Sequence, residues 1–514
     1  MTAGKPGLGT RPGRSVAWMR RLVPATLAAA APGVAFAAAP TLGVVSHLGA
    51  SASQHANTAR YIVQGSSSAA SMRWLASQHE HGTLLPGVRG AVAQLSSSQV
   101  SKAERQGFSV TSDQSMHLSG TITTACNGVA FPAGSHPSDA FLGVTGATSE
   151  FADGDYGQGV TVAVLDTGID ALPDFQGRLL PGVDLSGGRN ADQDAYGHGT
   201  FVAGLIAGNG ASSGGQYTGE APEANLLPIK VAGASGSTSE GAVIEGIEWA
   251  IAHRNADNIR VLNISLGVLP SEPSWDDPVD EAVEQAWRAG IVVVTSAGNS
   301  GPSSGTITSP GDDPLVITVG ALDDGGGTNP ADYSIASFSS VGPTLYDGVF
   351  KPDLVAPGRS VISLKAPGST IADENPDACI GTSNFVGSGT SFSAAIVSGM
   401  VALILEQHPY MTPDQVKAAL LAGTTAGPVS NPFLDGHGIA NATGAISAAG
   451  AGLSLNQVPA EVSEKTTGAG GTGVISLAGT WGASTFNSAN WNGAEWNGAE
   501  WNGAEWNGAE WNGA

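Results

Sequence analysis

Val162-Ala163-Val164-Leu165-Asp166-Thr167-Gly168 is an apolar run that closes on an acid, a threonine and a glycine. Aliphatic residues without alternation describe a strand buried on both faces, and the glycine marks a turn at its end. Comparable runs at 160–164, 226–231, 261–266 and 291–295 read as strands, while 240–253 and 279–289 carry helical patterns. Strands alternating with helices over residues 150–450 predict an α/β fold: a doubly wound, mostly parallel sheet with helices on both faces. Thr412-Pro413-Asp414-Gln415 opens the last predicted helix, with an N-cap threonine, proline at the first helical position and glutamine completing a capping box. The apolar stretch 394–405 reads as a buried core helix, too short to span a membrane.

Two further runs give Asp166 partners: Tyr196-Gly197-His198-Gly199-Thr200 and Gly389-Thr390-Ser391-Phe392-Ser393-Ala394-Ala395. A serine hydroxyl is a weak nucleophile at neutral pH, so it needs an imidazole to take its proton and a carboxylate to orient that imidazole. Singly, Asp166 could cap a turn, His198 could start a helix and Ser391 could N-cap the apolar run after it. None of these readings predicts the other two motifs. The order Asp, His, Ser is that of the subtilisins, against His, Asp, Ser in chymotrypsin and Ser, Asp, His in α/β-hydrolases. With their flanking glycines, the three runs resemble the subtilisin-like serine peptidases (subtilases, family S8), and so does Ser296-Ala297-Gly298-Asn299-Ser300-Gly301.

The resemblance implies a secreted endopeptidase with Asp166, His198 and Ser391 as catalytic triad and Asn299 as oxyanion donor beside the Ser391 N–H. It implies that Ser235 and Gly236, with Ser237, and Ser265, Leu266 and Gly267 sandwich an extended peptide. The pocket for the residue before the scissile bond would be walled by Ser265, Leu266, Gly267, Ser296, Ala297 and Gly298, with Thr308 as floor. No carboxylate sits among these residues, so an apolar or medium-sized residue is expected there. Residues 336–343 and 351–358 match family segments that are structural.

Around this domain the chain changes character. Lys5, Arg11, Arg14, Arg20 and Arg21, an apolar stretch at 22–36 and Ala35-Phe36-Ala37 have the layout of a secretory signal over residues 1–37, and Arg20-Arg21 permits twin-arginine export. Residues 40–117 form a small unit, with strands at 61–63 and 108–110 and a helix at 97–104, that resembles an inhibitory propeptide. Residues 118–149 would be linker and maturation region. Residues 451–514 end in W-N-G-A-E repeats, with Trp491, Trp496, Trp501, Trp506 and Trp511 at period five. Similar repeats close some actinobacterial subtilases. A period of five fits neither strand nor helix, so a flexible acidic extension is expected, with contact to a cell wall or polysaccharide as the alternative.

Of 514 residues, 44 are acidic and 21 are Lys or Arg, a formal charge of −23, and only Glu80, Glu104 and Asp113 of the acids precede residue 118. That excludes nucleic acid and anionic membranes as expected partners and leaves a peptide or protein substrate and the chain's own propeptide. A monomer is expected. Cys126 and Cys379, the only cysteines, predict one disulfide in an exported chain. Neither has metal-ligand spacing. No metal or cofactor is required by the chemistry; a structural calcium finds no support in the loop after His198, since 208–219 holds no carboxylate. Two competing functions are an esterase using the same triad and a surface-binding protein whose peptidase has decayed. The peptide-binding segments speak against the first and a complete triad against the second.

Overall fold

The computed structural model describes residues 58–118, 121–122, 139–188, 190–453 and 455; the signal segment, Cys126 with most of the linker, and the tryptophan repeats lie outside them. β1 (Thr58–Gln64), α1 (Ser68–Ser77), β2 (Gly82–Leu85), β3 (Gly90–Ser96), α2 (Ser97–Arg105) and β4 (Ser109–Ser112) build a small antiparallel sheet in the order β2-β3-β1-β4. This is the split βαβ arrangement. The expected helix at 97–104 is α2, opened by a capping box in which Gln99 N–H donates to Ser96 Oγ at 3.4 Å and Ser96 N–H to Gln99 Oε1 at 2.8 Å.

Successive strand residues point to opposite faces. Val63, Ala91, Ala93 and Leu95 therefore meet Trp74, Leu75 and Ala103 of the two helices in a core of their own. Ile62 and Val92 face the other way and join the core of the large domain, together with Leu85 and Val88. Polar contacts rim this joint: Gly87 N–H donates to Glu248 Oε1 at 2.6 Å, Gln285 Nε2 to the Gly87 carbonyl at 2.7 Å, and Arg89 pairs with Glu281 at 3.0 Å.

β5 (Ser115–Leu118) and β6 (Thr121–Ile122) carry the chain onward, and α3 (Phe141–Thr145) and α4 (Ala147–Asp153) lead into the large domain. Its elements are β7 (Thr161–Asp166), β8 (Val183–Asp184), α5 (His198–Ala207), β9 (Asn225–Lys230), β10 (Ser237–Ser239), α6 (Glu240–His253), β11 (Ile259–Ile264), β12 (Leu266–Gly267), α7 (Pro278–Arg288) and β13 (Val292–Ser296). There follow β14 (Ile317–Asp323), β15 (Ser334–Ile335), β16 (Leu354–Pro357), β17 (Val361–Leu364), α8 (Thr370–Glu374), β18 (Cys379–Ile380), β19 (Asn384–Ser388), α9 (Thr390–Gln407), α10 (Pro413–Gly423) and α11 (Ala442–Gly450). The central sheet runs β15-β14-β13-β11-β7-β9-β8, with β16 also on β14. The pairs β9/β7, β7/β11, β11/β13, β13/β14 and β14/β16 are parallel and β15 is antiparallel, so the predicted fold class is the observed one.

The apolar run at 394–405 belongs to α9, long and apolar enough to cross a membrane by composition but 89% buried inside the protein, which marks a core helix. α10 starts on the expected Thr412 capping box. It is not the last helix: α11 follows, N-capped by Asn441 and packed against α10 where Gly423 leaves no room for a side chain beside the Ala445 N–H. Its inner face is made only of the small residues Ala442, Ala445 and Ala449, a faint stripe in sequence.

Candidate active site

Asp166 ends β7, His198 opens α5 and Ser391 lies in the first turn of α9; all three are buried, at 0%, 1% and 0% exposure. The His198 Nδ1 stands 2.9 Å from both Oδ1 and Oδ2 of Asp166. A carboxylate only accepts, so Nδ1 carries the hydrogen and Nε2 keeps the lone pair a base needs. That Nε2 is buried and has no hydrogen-bond partner among the described residues. Ser391 Oγ donates instead to the Ser265 carbonyl at 2.8 Å, so a rotation of the serine side chain separates this resting geometry from attack. Such looseness before substrate engages is common in catalytic hydrogen bonds. The His198 ring packs against Phe392, centroids 5.6 Å apart.

Asn299 follows β13, half-buried, and its orientation is fixed by a residue the sequence reading passed over. Asn299 Oδ1 accepts from the Thr390 N–H at 3.0 Å and the Thr390 hydroxyl at 2.9 Å. With its oxygen engaged, the amide offers only Nδ2 as a donor, next to the start of α9, where unpaired N–H groups favour an anion.

Asp194 was also passed over, though it stands four residues before His198. Its carboxylate accepts from Gly197 N–H at 2.7 Å, Thr200 N–H at 2.8 Å and Thr167 Oγ1 at 2.8 Å, and Thr167 Oγ1 in turn accepts from Gly199 N–H at 2.9 Å. These bonds tie the start of α5 to the turn after β7 and so set the His198 ring against Asp166. Burial pushes the Asp194 carboxyl above its ordinary 3.8, and the Gly197 and Thr200 N–H groups pull it back.

Both expected peptide-binding segments flank one strand, and that strand is the protein's own. β5 lies antiparallel between β10 and β12, pairing Ser237 with His117, Thr238 with Met116, Leu266 with Leu118 and Gly267 with His117. Ser235 is exposed and Gly236 buried in the turn ahead of β10. Met116 is wholly buried. On the far side β6 pairs with β19, Thr121 opposite Ser388 and Ile122 opposite Gly387. The chain thus lies across the site on both sides of Ser391.

Ser265, Leu266, Ser296 and Ala297, expected as pocket walls, are buried. A Cβ on Gly267 would sit 2.6 Å from Thr308 Oγ1, and one on Gly298, at φ +102°, 2.8 Å from Thr308 Cγ2. Thr308 therefore touches both glycine walls. No carboxylate belongs to this set; Asp277, Asp280 and Asp312 are buried, their carboxyls raised first by burial, that of Asp277 also by Asp347, that of Asp280 by Asp312 and Asp277, and that of Asp312 by Asp277 and Asp347. Cys379 is a half-buried free thiol with Lys365 Nζ at 3.6 Å, while Cys126 lies outside the described residues, so the expected disulfide is not among the contacts of Cys379. The loop after His198 is held by Asp174, which accepts from the Ser212 N–H and hydroxyl.

Fold and site together define a serine peptidase domain of the subtilase class. The chain belongs to that family: residues 157–449 match the subtilase family model. It is 47% identical over 296 residues to serine protease AprX of Bacillus subtilis, a match covering 56% of this chain and 66% of AprX. It is 37% identical over 289 residues to the M-protease of Shouchella clausii, covering 56% and 64%, and 36% identical over 292 residues to subtilisin DY of Bacillus licheniformis, covering 56% and 92%. The fold is that of fervidolysin from Fervidobacterium pennivorans, with a TM-score of 0.61 and 24% identity over 76% of this chain and 61% of that one. The chain thus spans just under two thirds of the first two relatives' length.

Proposed function

We propose that the protein is a secreted serine endopeptidase, made as a precursor that cuts itself. Asp166 orients His198; His198 Nε2 takes the Ser391 proton as Oγ attacks the peptide carbonyl; Asn299 Nδ2 and the Ser391 N–H receive the oxyanion. The proton then passes to the leaving amine, and water, activated by the same nitrogen, releases the acyl group from Ser391. The reaction needs no cofactor.

The observation that carries this reading is β5 in the cleft. Ser115–Leu118 on one side of Ser391 and Thr121–Ile122 on the other bracket the nucleophile as the two halves of a substrate would. Residues 58–118 are then an inhibitory propeptide, and self-cleavage falls between Leu118 and Thr121. Reaction with a serine-directed fluorophosphonate and N-terminal sequencing test both points: wild type labels and starts at residue 119, 120 or 121, while Ser391→Ala neither labels nor is cut. A mature end elsewhere, or peptidase activity in the variant, overturns the reading.

Asn299→Ala should lower kcat by about 10²–10³ with KM little changed. In the oxidised, exported chain we assign a Cys126–Cys379 disulfide, supported by the even cysteine count. Two titratable thiols in the denatured, unreduced enzyme would exclude it. The pocket suits apolar or medium-sized residues before the scissile bond.

A further inference from the structure

Asn263 is a polar residue in an apolar layer. Its partners in the neighbouring strands of the central sheet are Val164 of β7 and Val294 of β13, both buried. A polar side chain so placed costs stability unless it is hydrogen-bonded, and valine would suit the strand better. The amide is bonded at both ends. Its Oδ1 accepts from the Ser398 hydroxyl of α9 at 3.0 Å, its Nδ2 donates to Ser265 Oγ at 2.8 Å, and Ser265 Oγ donates to the Ser391 carbonyl at 3.1 Å. All four residues are wholly buried.

The direction of this chain is forced. A carbonyl only accepts, so the Ser265 hydroxyl gives its one hydrogen to Ser391; its lone pair then takes an N–H, which turns the amide nitrogen toward Ser265 and the oxygen toward Ser398. Every donor points toward Ser391. That residue is bonded to Ser265 twice, since its own Oγ rests on the Ser265 carbonyl at 2.8 Å. The bond from Oγ is given up when Oγ turns to His198 Nε2, and the Ser265 hydroxyl alone then ties Ser391 to the end of β11. One residue earlier, the Thr390 N–H is held by Asn299 Oδ1 at 3.0 Å. The backbone around the Ser391 Cα is thus pinned from outside α9, in the turn where a helix is shortest of bonds of its own.

We propose that Ser265 and Asn263 are positioning residues of the reaction: Ser265 fixes the backbone of Ser391, and Asn263 fixes the direction of the Ser265 hydroxyl. The aim of the Ser391 N–H at the oxyanion and the swing of Oγ onto Nε2 both depend on that backbone. The inference rests on the reading of Ser391 as nucleophile, and fluorophosphonate labelling of each variant at Ser391 keeps the two apart.

The test uses the full chain with Ser265→Ala, Asn263→Ala, the two together, and Asn263→Asp. Ser265→Ala should lower kcat about tenfold, the worth of one hydrogen bond, with KM little changed because its side chain faces α9 and its carbonyl remains. Asn263→Ala should lower kcat several-fold, and the double variant no further than Ser265→Ala, since the amide acts only through the hydroxyl. Asn263→Asp separates direction from shape. A protonated carboxyl donates to Ser265 Oγ as the amide does; an ionised one only accepts, and draws the Ser265 hydroxyl off the Ser391 carbonyl. α9 carries no charge before Glu406, and the titratable groups at the neighbouring strand ends are Asp166, with His198, and Lys230, so burial dominates and keeps the new carboxyl protonated above its ordinary range. Its kcat should stand above that of Asn263→Ala while the carboxyl is protonated and fall once it ionises. Any of three results overturns the proposal: losses of kcat that add in the double variant, a lower thermal midpoint with kcat unchanged, or an Asn263→Asp no faster than Asn263→Ala at any pH.

Discussion

The molecule contains two main sheets that are apolar on both faces, and they are covered differently. The central sheet from β8 to β16 has its own helices on either side, and its inner strands β7 and β13 are buried end to end. The small sheet of β1 to β4 has its own helices on one face only; Ile62, Leu85, Val88 and Val92 on the other depend on the large domain. A sheet with one face uncovered exposes the kind of patch that seeks a partner. The first sheet is therefore built to persist alone and the second to exist in company, as the propeptide role proposed above requires.

Blocking the cut tests this most severely. Ser391→Ala should lower kcat by about 10⁶-fold and leave the two sheets in one uncut chain. Recovery of a processed, inactive protein would show that another peptidase makes the cut and would separate the small sheet's role from the nucleophile.

Within that uncut background the two faces of β1 can be compared. Ile62→Asp puts an unpaired carboxylate into the shared core and should weaken docking by several kcal/mol, whereas Trp74→Ala empties the small unit's own core and should cost it about 3–5 kcal/mol. Hydrogen exchange distinguishes them. Ile62→Asp should release β2 and β3 as a unit while they stay folded, and Trp74→Ala should speed exchange inside the small unit. Identical profiles would mean the two cores unfold as one.

pH offers a gentler handle, since the joint buries carboxylates of the large domain. Glu240, bonded by the Gln114 N–H at 3.2 Å, is pushed up to about 8, first by burial and then by Asp277, with Asp113 and Glu272 adding to it. Glu248 is pushed up to about 7 by burial, against the N–H groups of Gly87 and Val88, with Glu245 adding to the rise. Groups raised above their ordinary 4.5 on docking bind protons more tightly in the docked state. Docking is then strongest at low pH, weakens as pH rises toward about 8 and levels off above. Faster loss of the cut small unit at pH 6 than at pH 9 would contradict this.

The smallest effect is expected from the tryptophan repeats. Deleting residues 481–514 should leave kcat/KM on a short peptide unchanged, and a pull-down with insoluble peptidoglycan shows whether the tryptophan repeats add binding.

The central sheet and the three candidate catalytic side chains were legible because each rests on a local pattern: a β-branched run, a glycine-flanked acid, a serine ahead of an apolar run. What escaped depends on contacts distant in sequence or on residues without periodicity. Thr390 matters only because Asn299, 91 residues away, comes to lie beside it. Asp194 reads as an ordinary loop acid until the N–H groups of α5 close on it. β3, Gly-Ala-Val-Ala-Gln-Leu-Ser, hides its two faces because alanine and valine are apolar on both, and α1 and α11 are too rich in Ser, Ala and Gly to show more than a faint stripe. Nothing in Ser115–Leu118 alone says that it fills the cleft; that follows from the edges of β10 and β12.

The order of these parts along the chain also sets a timetable. Synthesis proceeds from the amino terminus at about 5–20 residues per second, so Ser391 is added roughly 14–55 s after Leu118. The strand that blocks the cleft is complete before the nucleophile exists. On the reading proposed above, no nascent copy completes its site without the strand that fills the cleft already made.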